Sequence, residues 1–246
     1  MRKFMFRRYF WLVRNTYRYD GFVFLPWKLA VEALAPLGSL RLTSFYQKDL
    51  TRPLKKPSTK PGFTVCRAAM SDIDKLAALV YERSGGEEGL KDFMHWRIQT
   101  KIFDLLRRGH LCFLGKVGEK VVHYNWIFFH WNDSILGRFV HLMEDEALLN
   151  DAYTAEPWRG KAIHTLVQYH MLLYLQKAGY RRVYTLAFTD NRSSLKTHDR
   201  LGWERTGLML YFGTHKGNWL RFWRIRGTLD PFMERQIPSR RTYKGV

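Results

Sequence analysis

Apolar and polar positions recur along this chain with two different periods, and the switches between them outline its elements. Residues 63–67 have strand composition. Ser71, with Asp74 three places on, has the form of a helix N-cap, and apolar positions follow at Ile73, Leu76, Ala77 and Val80. After punctuation at 84–89, a second helical pattern over 90–108 draws its buried side from Phe93, Met94, Ile98, Ile102, Leu105 and Leu106. Gly109 closes it, and the period becomes that of strands. Residues 111–117 and 121–130 are apolar or aromatic runs joined by a short turn at Gly118, Glu119 and Lys120, the form of an antiparallel hairpin. Residues 139–143 fit a strand or a loop, and 146–155 are extended. A long helix over 160–178 carries Ile163, Leu166, Val167, His170 and Tyr174 on one face. A strand at 182–188, a helix at 191–201 and extended segments at 204–212 and 218–225 complete the order. This order excludes all-α and all-β folds and predicts an α/β (α+β) architecture, one mixed sheet covered by helices.

Composition divides the chain further. Residues 51–62, TRPLKKPSTKPG, hold three prolines and four basic residues and almost nothing to bury, so they read as a linker. Four parts result: a basic aromatic N-terminal extension over 1–50, the linker over 51–62, a folded domain over 63–226, and a basic tail over 227–246. The net charge of +19 is concentrated at the ends, with 13 Lys/Arg against 3 Asp/Glu in residues 1–60 and 8 against 2 in residues 214–246. Such a field attracts anionic partners, among them acidic proteins, anionic lipid and nucleic acid. Nucleic acid is the least favoured, because the charge lies in the ends and on no recognition motif.

Two cysteines, Cys66 and Cys112, are too few for a disulfide framework and lack metal-ligand spacing, which points to a reducing, cytoplasmic setting without a metal. The first eighteen residues are Arg-rich and free of acid but lack the serines of a transit peptide. Residues 21–40 are weakly charged, yet Lys28 and Glu32 interrupt a stretch that a spanning helix would need to be about 20 apolar residues long. An interfacial segment fits better. Basic residues interleaved with Phe4, Phe6, Tyr9, Phe10, Trp11, Tyr17 and Tyr19 suit a peripheral arm on the anionic inner face of a membrane; packing of these aromatics against the domain is the alternative.

The most informative segment is Asp151-Ala-Tyr-Thr-Ala-Glu-Pro-Trp-Arg-Gly-Lys-Ala-Ile163. A strand stops at a proline, and a basic turn containing Gly160 runs into the N-terminus of a long helix. Such a turn offers backbone N–H groups, the positive end of a helix dipole, and here Arg159 and Lys161, a combination suited to a pyrophosphate. Neither G-x-G-x-x-G nor G-x-x-x-x-G-K-[ST] occurs, nor do H-E-x-x-H or G-x-S-x-G.

That segment, the helix end Lys177-Ala-Gly-Tyr-Arg181 and the later Asn191-Arg-Ser-Ser-Leu-Lys-Thr-His-Asp-Arg-Leu-Gly-Trp203 together resemble the core of GNAT-superfamily N-acyltransferases over residues 63–212. The resemblance implies a mostly antiparallel central sheet of six or seven strands flanked by helices. It also implies direct transfer of an acetyl or other acyl group from coenzyme A to an amine-bearing acceptor. In those terms Tyr153, Thr154 and Ala155 give main-chain contacts to the pantetheine and Arg159, Gly160, Lys161, Ala162 and Ile163 hold the pyrophosphate. Asn191 contacts the cofactor or caps its helix. Ala162 and His164 replace the small residues usual in the turn, and His164 either adds a polar contact to the phosphate or fills part of its space. That departure suits an acyl carrier protein thioester, which lacks the adenylate.

Glu146, thirteen residues before Arg159, matches the position of a general base in some relatives; the alternative is a solvated acidic loop of Glu144, Asp145 and Glu146. Simple alternation along an extended strand sets Glu146, Leu148, Asn150, Ala152 and Thr154 on one face. His198, five residues before Trp203, takes the position of the family's acid, with a surface histidine of no role as its alternative. Three functions follow for test: an acyl-CoA N-acyltransferase; a long-chain N-acyltransferase fed by acyl carrier protein at a membrane surface; and a non-catalytic basic binding module.

Overall fold

A computed structural model describes residues 25–34, 37–58, 62–83, 91–130, 142–189, 191–214, 219–227 and 243–244. It divides into a larger unit, residues 46–186 with 193–205, and a smaller one, residues 1–45, 187–192 and 206–246. The division passes through the strands β1 (Gly38–Asp49) and β6 (Arg182–Phe188).

The larger unit is built on β2 (Thr64–Arg67), β3 (Leu111–Val117), β4 (Lys120–Phe128), β5 (Glu146–Thr154) and β6, adjacent in that order. The first four pair antiparallel, whereas β5 and β6 run parallel, so the sheet is mixed, as the pattern implied, and mostly antiparallel, as the resemblance implied. With β7 (Glu204–Thr214) and β8 (Trp219–Gly227) the described residues of the span 63–226 form seven strands, at the upper end of the six or seven expected. Residues 84–90, where a punctuating loop was expected, and 131–141, which include part of the expected strand or loop over 139–143, lie outside the described residues.

Among the described residues four helices accompany this chain segment: α2 (Ile73–Arg83), α3 (Lys91–Arg107), α4 (Ile163–Lys177) and α5 (Arg192–Leu201). The start of α2 differs from the expected Ser71 cap. Residues Met70–Asp72 form a 3-10 turn, and the Asp72 carboxylate accepts from the Ala69 N–H at 3.0 Å while Lys116 Nζ donates to it at 3.0 Å. The capping pair therefore keeps the expected spacing of three residues but sits two places earlier in the chain. α4 lies on β3 and β4, and its apolar residues Ile163, Val167, Met171, Leu172 and Leu175 are almost wholly buried. α5 ends under Lys48 of β1, whose ammonium donates to the carbonyls of Leu201 and Gly202 at 2.8 and 2.9 Å and so satisfies the orphaned C-terminal acceptors.

In the smaller unit, β7 and β8 form an antiparallel pair that β9 (Tyr243–Lys244) extends. A helix α1 (Leu25–Leu34) precedes β1, in the stretch expected to be an interfacial segment. Among the described residues no helix is long and apolar enough to cross a membrane.

Candidate functional site

β5 carries an irregularity that decides where its side chains point. Tyr124 pairs with Tyr153 and Trp126 with Asn150, so Asn125 of β4 faces two residues, Asp151 and Ala152. This is a bulge, and Asp151 takes the left-handed conformation (φ 56°) that it requires. Asp151 is fixed there by an ion pair with Arg83 of α2, which also donates to the Tyr124 hydroxyl at 2.8 Å. The inserted residue flips the alternation beyond it. Glu146, Leu148, Asn150 and Tyr153 share one face, and Thr154 lies on the other with Leu149 and His123. The expectation that Glu146 and Thr154 share a face is thereby corrected.

The bulge also coincides with a parting of strands. β5 and β6 pair from Glu146–Arg182 to Leu149–Thr185, and β5 continues for five further residues without a β6 partner in the register. At its end Thr154 bonds to His123 (Oγ1···Nδ1 2.7 Å), and the Ala155 N–H donates to Val122 O at 3.0 Å. A 3-10 turn, Glu156–Trp158, then leads into Arg159.

Arg159 is extended (φ −67°, ψ 156°), while Gly160 (φ 76°) and Ala162 (φ 61°) are both left-handed, so the chain coils tightly before α4 begins at Ile163. This explains why the helix starts three residues later than its pattern suggested. A Cβ on Gly160 would meet nothing within 4 Å, so its outer side is open. No side chain caps α4, and the N–H groups of its first turn have no intrahelical acceptor. Arg159 Nε donates to Thr154 O at 3.1 Å and its guanidinium carbon lies 5.5 Å from the Tyr153 ring centroid. Lys161 Nζ lies 4.2 Å over the Trp158 ring. Two cations thus flank an uncapped helix N-terminus. The donor set fits the phosphates of a thioester cofactor: N–H groups at an uncapped helix start, fixed positive charge, and an open glycine.

Beneath this turn the site is uncharged. His164 turns inward, its Nδ1 3.4 Å from His123 Nε2, so its ring engages the interior of the unit. Burial pushes the His164 pKa down to about 4, and pushes His123 well below its ordinary value with His164 adding to the effect. α4 meets α5 through Thr165 and Thr197, whose hydroxyls are 3.1 Å apart. The next residue, His198, is 1% exposed and packs on Tyr46 (centroids 4.4 Å) and Trp203 (5.6 Å). Burial, then the neighbouring His164, pushes His198 down to about 3, so all three histidines are neutral at neutral pH. His198 Nδ1 has no hydrogen-bond partner. The surface-histidine alternative does not hold for a side chain this buried.

The structure therefore gathers Tyr153, Thr154, Ala155, Arg159, Gly160, Lys161, Ala162 and Ile163 at the end of β5, and brings His198 near the first turn of α4 through Thr165–Thr197. Glu146 is elsewhere, at the far end of β5 and on its opposite face. It is 8% exposed, accepts from Tyr184 Oη at 2.8 Å, from the Met143 N–H at 3.2 Å and from Arg182 Nη1 at 3.5 Å, and is part of a strand, not of a solvated loop. Asn191 stands directly before α5 and its N–H donates to Phe188 O at 2.9 Å. Among the described residues no group of three or more His, Cys, Asp or Glu could hold a metal ion. The sequence reasoning missed His123, Arg83 and Asn125; the Asn150-Asp151 pair, both types that tolerate left-handed backbone, was the available sign of the bulge.

A bulged strand parting from its parallel neighbour just before a coiled turn and a long helix is the arrangement of the GNAT fold, and comparison with solved structures shows that fold. An acetyltransferase of the GNAT family from Colwellia psychrerythraea superposes with a TM-score of 0.51 at 13% identity, over 80% of this chain and 62% of its own. A tandem GNAT protein from the clavulanic acid biosynthesis pathway gives 0.52 at 13% identity, over 82% and 60%. A GCN5-related N-acetyltransferase from Sphaerobacter thermophilus gives 0.50 at 15% identity, over 82% and 58%. The chain thus spans about three fifths of the length of these neighbours. No protein-family model matches the sequence, and no curated protein matches it.

Proposed function

We propose that this protein transfers an acyl group from a coenzyme A thioester to an amine-bearing acceptor. The observation that carries the reading is the turn 159–163, where two left-handed residues and two cations surround an uncapped helix N-terminus directly after the parting of β5 from β6. Residues 159–163 would hold the donor's phosphates. The main chain of 153–155 would hold the pantetheine and orient the thioester, whose activated carbonyl is the chemistry the donor supplies. The amine attacks that carbonyl in its neutral form, so a proton must leave the acceptor and one must reach the departing sulfur.

By resemblance these roles fall to Glu146 and His198. The buried network around Glu146 also makes it a structural carboxylate, and the neutral His198 has only an N–H to offer a developing thiolate. An acyl carrier protein thioester is the alternative donor. Because His164 turns inward to His123, it does not compete for the phosphate position, and this favours coenzyme A.

Calorimetry with coenzyme A and with pantetheine, joined to a thiol-release assay over a panel of amines, tests the reading. An Arg159→Ala, Lys161→Ala double variant should weaken coenzyme A about 10- to 100-fold through lost charge-assisted hydrogen bonds, with little effect on pantetheine. Binding of neither compound, with no thiol released, would reject acyl transfer and leave the basic binding module.

A further inference from the structure

The sheet face under α4 holds polar groups that the phosphate turn does not use. Asn125 is 1% exposed, and neither its Nδ2 nor its Oδ1 has a hydrogen-bond partner; Gln168 is 2% exposed, and its Oε1 has none. Unpaired buried amides are rare because each forfeits the hydrogen bonds it made to water. Two of them on facing elements call for a shared explanation.

Their positions are fixed by contacts already described. α4 runs in the same direction as β4, since each is antiparallel to β5 or returns from its end. His164 meets His123, and farther along Tyr174 meets Phe113, the β3 residue paired with Asn125. Moving one turn along α4 from His164 leads to Gln168, about 6 Å on; moving two residues along β4 from His123 leads to Asn125, about 6.7 Å on. Gln168 and Asn125 therefore each lie one step beyond the His164–His123 contact, on the two packed elements α4 and β4. Asn125 is also the single β4 residue that faces the bulge at Asp151 and Ala152, where β5 has left β6.

We infer that Asn125 and Gln168 form a recognition site for a hydroxyl group on the transferred acyl chain, so that the donor class is a hydroxyacyl thioester. This rests on the acyl-transfer reading above. The unpaired atoms supply one donor group and two acceptors, and a hydroxyl both donates and accepts. An alkyl chain in the same place would leave every one of these atoms unpaired, and an anionic substituent would meet two acceptor oxygens. Sites built on buried hydrogen-bonding groups reject an analogue that lacks the matching group far more strongly than apolar pockets reject an added one.

The test compares the pantetheine thioesters of butyric and 3-hydroxybutyric acid, titrated calorimetrically into the full chain and into Asn125→Leu and Gln168→Leu. The expected result is at least tenfold tighter binding of the hydroxyacyl compound by the unaltered protein, and loss of that preference in both variants with binding of the butyryl compound retained. Urea unfolding of the unliganded variants supplies a second readout. Midpoints unchanged or raised accord with amides kept for a ligand, whereas lowered midpoints with the preference intact show a structural role and overturn the inference. Equal binding of the two thioesters by the unaltered chain overturns it while leaving donor binding in place. Binding of neither rejects the acyl-transfer reading, and the inference falls with it.

Discussion

A Cβ built on Gly115 of β3 would lie 2.8 Å from Ile163 Cγ2 and 3.2 Å from both His123 Cβ and Val167 Cγ2. The glycine is there because α4 comes down on the sheet at that point, and the neighbours it would displace include the first residue of α4. Gly115→Val should lower stability by about 1–3 kcal/mol, an overpacking cost read from urea midpoints. A variant of native stability would show that α4 is free to lift from β3. Nothing in the sequence around Gly115 signals this, since a glycine in a strand reads equally as a bulge or a close approach. Ala162 is similar. Its position in the turn was legible from Arg159, Gly160 and Lys161, but its left-handed backbone is forced by the path into α4, against a preference that disfavours it by about 1 kcal/mol.

α4 illustrates how far periodicity reaches. Its apolar face was legible through Ile163, Leu166 and Val167, because the 3.6-residue pattern is regular there. Thr165 and Gln168 are buried too, since α5 and β4 cover sides of the helix that a one-faced pattern leaves to solvent. The hairpin β3–β4 was legible because its two apolar runs flank Gly118. β1 was not, because Thr43, Ser44, Phe45 and Tyr46 are buried in succession and so show no alternation. The neutral histidines give α4 and its neighbours a pH signature. His164 titrates near 4 when folded and near 6.5 when unfolded, so the unfolded chain takes up the proton first. Stability should be full above about pH 6.5 and fall by a few kcal/mol as pH drops towards 4, with His123 and His198 acting in the same direction. Denaturation curves at pH 7.5, 6 and 5 check this, and His164→Gln should flatten the slope. A flat profile in the unaltered chain would contradict the burial of these rings. The depressed carboxylates Asp49, Asp72 and Asp145 act only below about 4, outside that window.

The charge of the whole chain, +19, is carried mainly outside the span 63–226, yet not all of the basic N-terminal stretch is dispensable to the fold. Tyr46 packs on His198, Lys48 holds the end of α5, and Leu50 is 2% exposed and accepts from Gln176 through its carbonyl. Deleting residues 1–60 would remove these contacts together with any surface-binding role, whereas deleting residues 1–24, which carry six Arg/Lys against one Asp and nine aromatics, keeps Tyr46, Lys48 and Leu50 in the chain. A chain lacking 1–24 should unfold at the same urea concentration as the full one and lose sedimentation with phosphatidylserine vesicles at low salt. Retained sedimentation would exclude that arm as the anionic contact. The bulge in β5 has a wider consequence for the design of the molecule. By adding one residue it reverses the parity of the strand halfway along, so a single strand serves both faces of the sheet in turn. Glu146 is committed to the face that carries Tyr184 of β6, and Thr154 to the face of His123, where α4 packs. The two ends of β5 can therefore accept substitutions independently, and new chemistry at one end need not disturb the anchoring at the other.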